Sequence, residues 1–452
     1  MTAPHHPSAI LAHFVSTFPA GNLPPDLRDA ASRAVFSATS AAIAGARDPE
    51  TRAILRVLLP FSAAPQAGIF GHPERVDVLQ AAFANAMIAN ALDFDDTHAG
   101  TILHPTSPVL AVVLARSEWL ASSPAESMAA FTIGCEVSCR VADAVSPEHY
   151  RRGWHITASC GVFGAAAAAA RLLGLDARQV VWAFGNASAQ ASGTVETLGT
   201  MAKSIGVGNA ARAGLLAALM AREGVAGPST PLEGRLGYLS LVTDAPRLSA
   251  LTDGLGSTWS FLRNMLKPYP CGVVLNPVIE AAIALHSRIP DPGQIRSIRV
   301  TGCALLQART DRPDAQTPRE LQVCAQHCVS AALLRGQFGP EEVSAAAAAD
   351  PAILTMRPRV ELTVDDDGYD VDSAQVTLVL ASAEEITQKV DPARGSLARP
   401  PGLPDLTGKA RIATGDAALA QRLCGIVERL WQDAPLSELR AGTAGQAAGP
   451  DL

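Results

Sequence analysis

Four segments of the chain gather residue types that move protons or hold anions. The first runs Asp93, Asp95, Asp96, Thr97 and then His104-Pro105. Carboxylates this close raise one another's pKa, and at the end of an Ala-rich helix they also oppose its dipole. A solvated loop tolerates that placement, whereas general acid–base chemistry makes use of a raised carboxyl pKa, and the residues alone leave both readings open. Such a cluster could also take a divalent cation, but calcium-loop spacing is absent. The second segment, His149 to His155, holds Tyr150, Arg151 and Arg152 just before an Ala-rich helix. Arginine forks recognise carboxylates, and helix N-termini favour anions, so Arg152 and His155 are candidate anion contacts and His155 a candidate base. The bland alternative is a capped, solvated loop.

The third segment, Thr200 to Arg212, places Lys203 before Gly206 and Gly208. This is not a phosphate loop, because the lysine precedes the glycines and no strand precedes the lysine. Small residues for close helix packing explain the glycines equally well. The fourth, Lys267-Pro268-Tyr269-Pro270-Cys271-Gly272, holds a Lys and a Tyr between prolines where a helical texture gives way to a mixed one. A rigid connector is the competing explanation. No GxSxG elbow occurs, and His327 between Cys324 and Cys328 reads as a packed histidine.

Composition narrows the class. The 452 residues carry 36 Lys+Arg against 43 Asp+Glu, a net charge of -7, so there is no basic footprint for nucleic acid. Only four lysines are present, Lys203, Lys267, Lys389 and Lys409, and arginine supplies nearly all the positive charge. A lysine kept in such a chain can do what arginine cannot, which is to lose a proton near neutral pH. Lys203 and Lys267 fall inside the segments above, while Lys389 and Lys409 lie in polar surroundings and read as surface residues. No long uncharged apolar run predicts a membrane span, and no leader pattern opens the chain. The eight cysteines lack zinc spacing and read as reduced, buried thiols of a cytoplasmic protein, with no metal site.

The elements that must position these residues follow from periodicity. Apolar residues recur at helical spacing over 27–46, 76–92, 128–144, 165–173, 177–189 and 210–223. After Pro270 a helix is expected over 276–286, alternation over 298–302 predicts a strand, a helix follows over 320–335, and the runs 360–364 and 376–380 flank Asp365-Asp366-Asp367-Gly368 as a hairpin. Helical spacing returns over 417–431. The expected fold is mainly α: a large all-helical domain, 1–268 and 405–440, with a smaller α+β lid domain, 269–404, inserted before the C-terminal helix. A Gly/Ala-rich tail, 441–452, is expected to be disordered.

The motifs in order resemble the MmgE/PrpD superfamily. The residues that carry the resemblance are Asn90-Ala91-Leu92-Asp93-Phe94-Asp95-Asp96-Thr97 with His104-Pro105, then Gly153-Trp154-His155, then Lys203 with Gly208-Asn209-Ala210-Ala211. Glu233-Gly234-Arg235-Leu236-Gly237-Tyr238 and Lys267 to Gly272 complete the set. That superfamily includes 2-methylcitrate dehydratase, cis-aconitate decarboxylase and iminodisuccinate epimerase. The resemblance implies a homodimer working without metal or cofactor on a small di- or tricarboxylate. It implies active-site roles for Asp93, Thr97, His104, His155, Lys203 and Lys267, with His104 paired to Asp93, and it adds Tyr150 as an acidic proton donor similar to the epimerase branch. Asp96, Thr97 and Arg152 are expected to contact substrate. Asn90, Gly206 and Asn276 stand where relatives often carry bulkier polar residues or histidine, and Gly272 stands where the decarboxylase branch places a catalytic His. The function expected first is a 2-methylcitrate-dehydratase-like lyase that abstracts a proton α to a carboxylate. An epimerase using two bases is the alternative, ahead of a decarboxylase or a non-catalytic polycarboxylate-binding protein.

Overall fold

A computed structural model describes residues 6–446 except 63 and 290. The chain is mainly α and divides into two compact units, one of residues 1–91, 95–264 and 414–452, the other of residues 92–94 and 265–413.

The first unit is helical. Its main helices are α1 (Pro7–Thr17), α2 (Pro25–Ala46), α3 (Val78–Asn90), α4 (Thr106–Trp119), α5 (Pro124–Val145), α6 (Ile156–Leu172), α7 (Ala177–Ser188) and α8 (Met201–Arg222). Several starts are written locally. Asp77 caps α3 by accepting from the Leu79 and Gln80 amides, Ser123 caps α5, and Asp176 with Gln179 forms a capping box on α7. At the centre α8 packs on α6, α3 and α7. The approach is close because glycine lines it. A Cβ at Gly214 would lie 2.7 Å from the Val162 carbonyl oxygen, and one at Gly208 would lie 2.7 Å from that of Phe83. The glycines around Lys203 are therefore packing residues, and α8 begins nine residues before the expected span because glycine masked its periodicity. α8 is also long and apolar enough to cross a bilayer, but most of it is buried in the unit and Lys203 sits in its first turn.

The second unit joins α9 (Asn276–His286), α10 (Ala325–Arg335) and α11 (Leu403–Thr414, in this unit to Ala413) to a four-stranded sheet. Its strands are β1 (Ile295–Gly302), β2 (Val360–Val364), β3 (Ala374–Leu380) and β4 (Glu385–Val390), in the order β2-β1-β3-β4. β1 runs parallel to β2, with Val300 opposite Leu362, and antiparallel to β3, with Val300 opposite Val376. The expected hairpin between β2 and β3 is thus corrected: β1 lies between them, and the hairpin is β3–β4. Burial explains the choice. Ile298 and Val300 of β1 are fully buried in the unit's core and take the interior position, whereas β2 is mostly exposed and takes the edge. The helix expected over 320–335 is broken, because Cys324 turns out of helical geometry and caps α10 through its sulfur, which accepts from the His327 amide. Of the expected disordered tail, Ala441 ends a short helix (Ser437–Ala441), residues 442–446 follow it, and the remainder lies outside the described residues.

The α6–α8 contact makes a testable prediction. Alanine is favoured over glycine inside a helix by about 1 kcal/mol, but at Gly214 the added Cβ overpacks backbone on α6. Gly214→Ala is expected to lower the unfolding free energy by about 1–3 kcal/mol in urea denaturation. A stabilised variant would show that the helices can separate at no cost.

Candidate active site

In the first unit, packing brings several of the sequence-selected residues together. His155 is the N-cap of α6 and Lys203 lies in the first turn of α8, and neither helix has a side-chain cap or an acidic residue in its first turn. The two starts adjoin, since a Cβ at Gly206 would meet that of Ala158 at 3.3 Å. The His155 amide donates to the Gly193 carbonyl at 3.1 Å, and Gly193 lies over it in the left-handed region at φ 110°, where a Cβ would come within 2.5 Å of Ala158. His104 joins the same place through its own amide, which donates to Thr157 Oγ1 on the first turn of α6 at 3.0 Å.

A chain of buried polar groups runs to the His104 ring. Ser204 Oγ donates to Asn90 Oδ1 at 3.0 Å, and Asn90 Nδ2 donates to Asp95 Oδ2 at 2.9 Å. Ser107 Oγ donates to the same carboxyl oxygen at 2.6 Å, and Asp95 Oδ1 lies 3.2 Å from His104 Nδ1. His104 Nδ1 also lies 2.6 Å from the Asp96 main-chain oxygen. Asp95 Oδ1 and the Asp96 carbonyl can only accept, so Nδ1 carries a proton. Asp95, which is fully buried, thus orients the imidazole as a carboxylate orients a ligand or catalytic histidine. Within this unit His104 is paired with Asp95.

Asp96 lies beside this chain. Its carboxylate is buried and accepts from Thr106 Oγ1 and Asn264 Nδ2. Burial, and then the charge of Asp95, push its pKa up to about 6. Thr97 is buried beside it, with a hydroxyl that makes no hydrogen bond. Arg152 is exposed and held by Glu148 and Asp244, so its fork is already occupied by protein carboxylates. Tyr150 is half-buried on a four-residue helix (Glu148–Arg151). Its neighbour His149 is fully buried between Tyr238 Oη and Ser159 Oγ, and burial lowers its pKa to about 4, which keeps it neutral. His98 is likewise neutral, lowered to about 4 chiefly by burial.

The second unit holds the other set. Lys267 is 2% exposed, and its Nζ donates to Asp93 Oδ2 at 2.9 Å and to the Asp93 carbonyl at 3.0 Å. Asp93 itself adopts φ 51°, a left-handed conformation rare for a residue with a side chain. Lys409 corrects the sequence reading. It is buried, and its Nζ donates to the carbonyls of Phe94 at 2.6 Å and Lys267 at 2.8 Å. Lys389 is on the surface as expected, paired with Asp391. The eight cysteines are free and buried, and burial raises the thiols of Cys135, Cys139 and Cys328 well above the usual range, which disfavours the thiolate that a metal would need. Gly272 leaves an open direction at its Cβ position, with Val323 the nearest side chain at 3.4 Å.

Sequence reasoning missed Asp95 as a partner of the imidazole, and with it Ser107, which donates to Asp95, and Ser204, which reaches it through Asn90. Nothing in the local pattern marks these links. Lys409 did have a signal, the scarcity of lysine, which applied to it as much as to Lys203 and Lys267.

The chain matches two family models. Residues 9–250 match the MmgE/PrpD N-terminal domain and residues 269–433 the MmgE/PrpD C-terminal domain, so the chain belongs to the MmgE/PrpD family. Among curated relatives it is similar to a cis-aconitate decarboxylase of Aspergillus terreus, 29% identical over 62% of this chain and 60% of that protein. It is also similar to the cis-aconitate decarboxylases of Mus musculus, 25% identical over 78% of this chain and 75% of that protein, and of Homo sapiens, 25% identical over 78% and 76%. The chain thus spans about three-fifths of the length of the fungal relative that it matches.

The raised Asp96 pKa gives a pH prediction. A carboxyl at about 6 when folded, against an ordinary value of 3.8, binds its proton more tightly in the native state. Its contribution to stability is complete below the ordinary value and is lost as pH rises to the folded value. Asp96→Asn is expected to remove that slope, so the variant gains on the wild type by roughly 1–3 kcal/mol between pH 4 and 7, as read by urea denaturation at each pH. Parallel curves would mean that Asp96 stays ionised throughout.

Proposed function

We propose that the chain is a lyase acting on a small di- or tricarboxylate, and that it works by abstracting a proton α to a carboxylate. The observation that supports this most is the buried Ser204–Asn90–Asp95–His104 chain, which ends on an imidazole whose Nδ1 proton is held by Asp95 and the Asp96 carbonyl. Such chemistry needs a base at the carbon and fixed positive charge or donors for the growing enolate. His104 Nε2 is the base in this reading. His155 and Lys203 stand at two uncapped helix N-termini, where carboxylate charge is favoured. Lys267, beside Asp93, keeps the carboxylate or enolate role that the family resemblance implies, and Tyr150 that of returning a proton. Asp96 is left a supporting role under Thr106, and Arg152 none at the substrate.

Within this reading, dehydration is preferred to decarboxylation. In dehydration His104 takes the α proton, the electron pair forms the new double bond, and the β hydroxyl departs with a proton as water. The relatives named as cis-aconitate decarboxylases favour loss of CO2 instead, which needs a proton delivered to the carbon that CO2 leaves. Gly272 supports the first choice, because the position that carries a catalytic His in the decarboxylase branch has no side chain here.

The test is incubation with hydroxy-tricarboxylates and with cis-aconitate, following the ultraviolet absorbance of a conjugated double bond and the release of CO2. Absorbance without CO2, lost by at least about 100-fold in His104→Ala, is the expected result. CO2 release by the wild type would overturn dehydration, and deuterium uptake with inverted configuration would identify an epimerase. Gly272→His is expected to fold, since the glycine's neighbour stands at ordinary contact distance, and to gain CO2 release from cis-aconitate if that position alone separates the two reactions.

A further inference from the structure

We infer that Lys409 is a positioning residue for the Asp93–Lys267 pair, its buried ammonium tying together the two backbone segments that carry them. The inference rests on the reading of Asp93 and Lys267 as groups that serve the substrate. Lys409 lies on α11, and its Nζ reaches the carbonyl of Lys267 itself and that of Phe94, the residue after Asp93. Those two carbonyls belong to segments more than a hundred residues apart in the chain. The ammonium also sits 4.0 Å from the centre of the Phe94 ring, a cation–π contact that fixes the side chain on the same segment.

The need for such a tie is visible at Asp93. At φ 51° its backbone is in the left-handed region, where a non-glycine residue is strained and persists only if its surroundings over-determine it. Lys267 holds one side of the residue, through the Asp93 carbonyl and carboxylate. Lys409 holds the next peptide, through the Phe94 carbonyl. With both lysines in place, the Asp93 carboxylate and the Lys267 ammonium face one another in a single geometry. A compact, three-donor ammonium suits two converging carbonyls, whereas a planar guanidinium spreads its donors over a wider fork. Two further groups report the proximity. Cys271 lies near enough to feel both Lys267 and Lys409, and Gly395, at φ 91°, approaches so closely that a Cβ would lie 2.3 Å from the Leu266 carbonyl oxygen, which leaves that strand of chain no room to shift.

With only four lysines in the chain, selective ¹³C labelling at lysine Cε gives four signals, assigned by single substitution. In Lys409→Met the Lys267 signal is expected to move and broaden, while those of Lys203 and Lys389 stay in place. On the substrate that the wild type turns over, kcat should fall about tenfold or more with KM nearly unchanged, and Lys267→Met/Lys409→Met should be no slower than Lys267→Met alone. Lys389→Met serves as the surface control. If Lys409→Met does not fold, Lys409→Gln, which keeps two N–H donors for the carbonyls, takes its place with the same readouts. An unmoved Lys267 signal in a folded variant, or independent and additive losses, overturns the inference. If the wild type turns over no polycarboxylate, the lyase reading fails by itself, and the Lys267 signal still decides whether Lys409 positions the pair.

Discussion

The first unit depends on how closely α6 and α8 can approach. Their contact is backbone against backbone, with Gly214 facing the Val162 carbonyl and Gly206 facing Ala158. Larger residues would drive the helices apart, and the two N-termini would separate with them. Because they do not, His155 and Lys203 stand side by side at helix ends that no side chain caps. Each end carries the partial positive charge of a helix start. Packing between small residues therefore also sets where these two side chains stand.

A second dependence runs through carboxylates of unlike fate. Asp95 and Asp96 are adjacent and both buried. Asp95 accepts from Asn90 and Ser107 and turns toward the histidine, whereas Asp96 is covered by Thr106 and Asn264 and is pushed toward its neutral form. Two neighbouring charges in a dry interior cannot both be held at low cost, and burial with the charge of Asp95 is what raises Asp96. Asp93, in the other unit, pairs with Lys267.

Much of this was legible in the sequence, for identifiable reasons. Helices such as Asn276–His286 were read to the residue because apolar spacing and flanking breakers agree there. The start of α8 was not, since its glycines carry no hydrophobic signal while performing the packing that matters. The alternation of β2 and β3 was visible, but which strand lies between them depends on burial of β1 from elsewhere in the chain. Among site residues, His104, His155, Lys203 and Lys267 stood out by type and by local company. Asp95 was seen only as one of a charged cluster, because its partners Asn90 and Ser107, and Ser204 behind Asn90, come from three different helices. Lys409 was misplaced on the surface because a polar neighbourhood in sequence says little about which helix face turns inward.

The tether on the His104 ring carries a further consequence. With Nδ1 held by a carboxylate and a main-chain carbonyl, the imidazole can neither flip nor swap its nitrogens without breaking both contacts. A base of that kind has one lone pair pointing one way, so a prochiral carbon placed before it would surrender the hydrogen of a single face, and the handedness of the product would be set by a hydrogen bond on the far side of the ring.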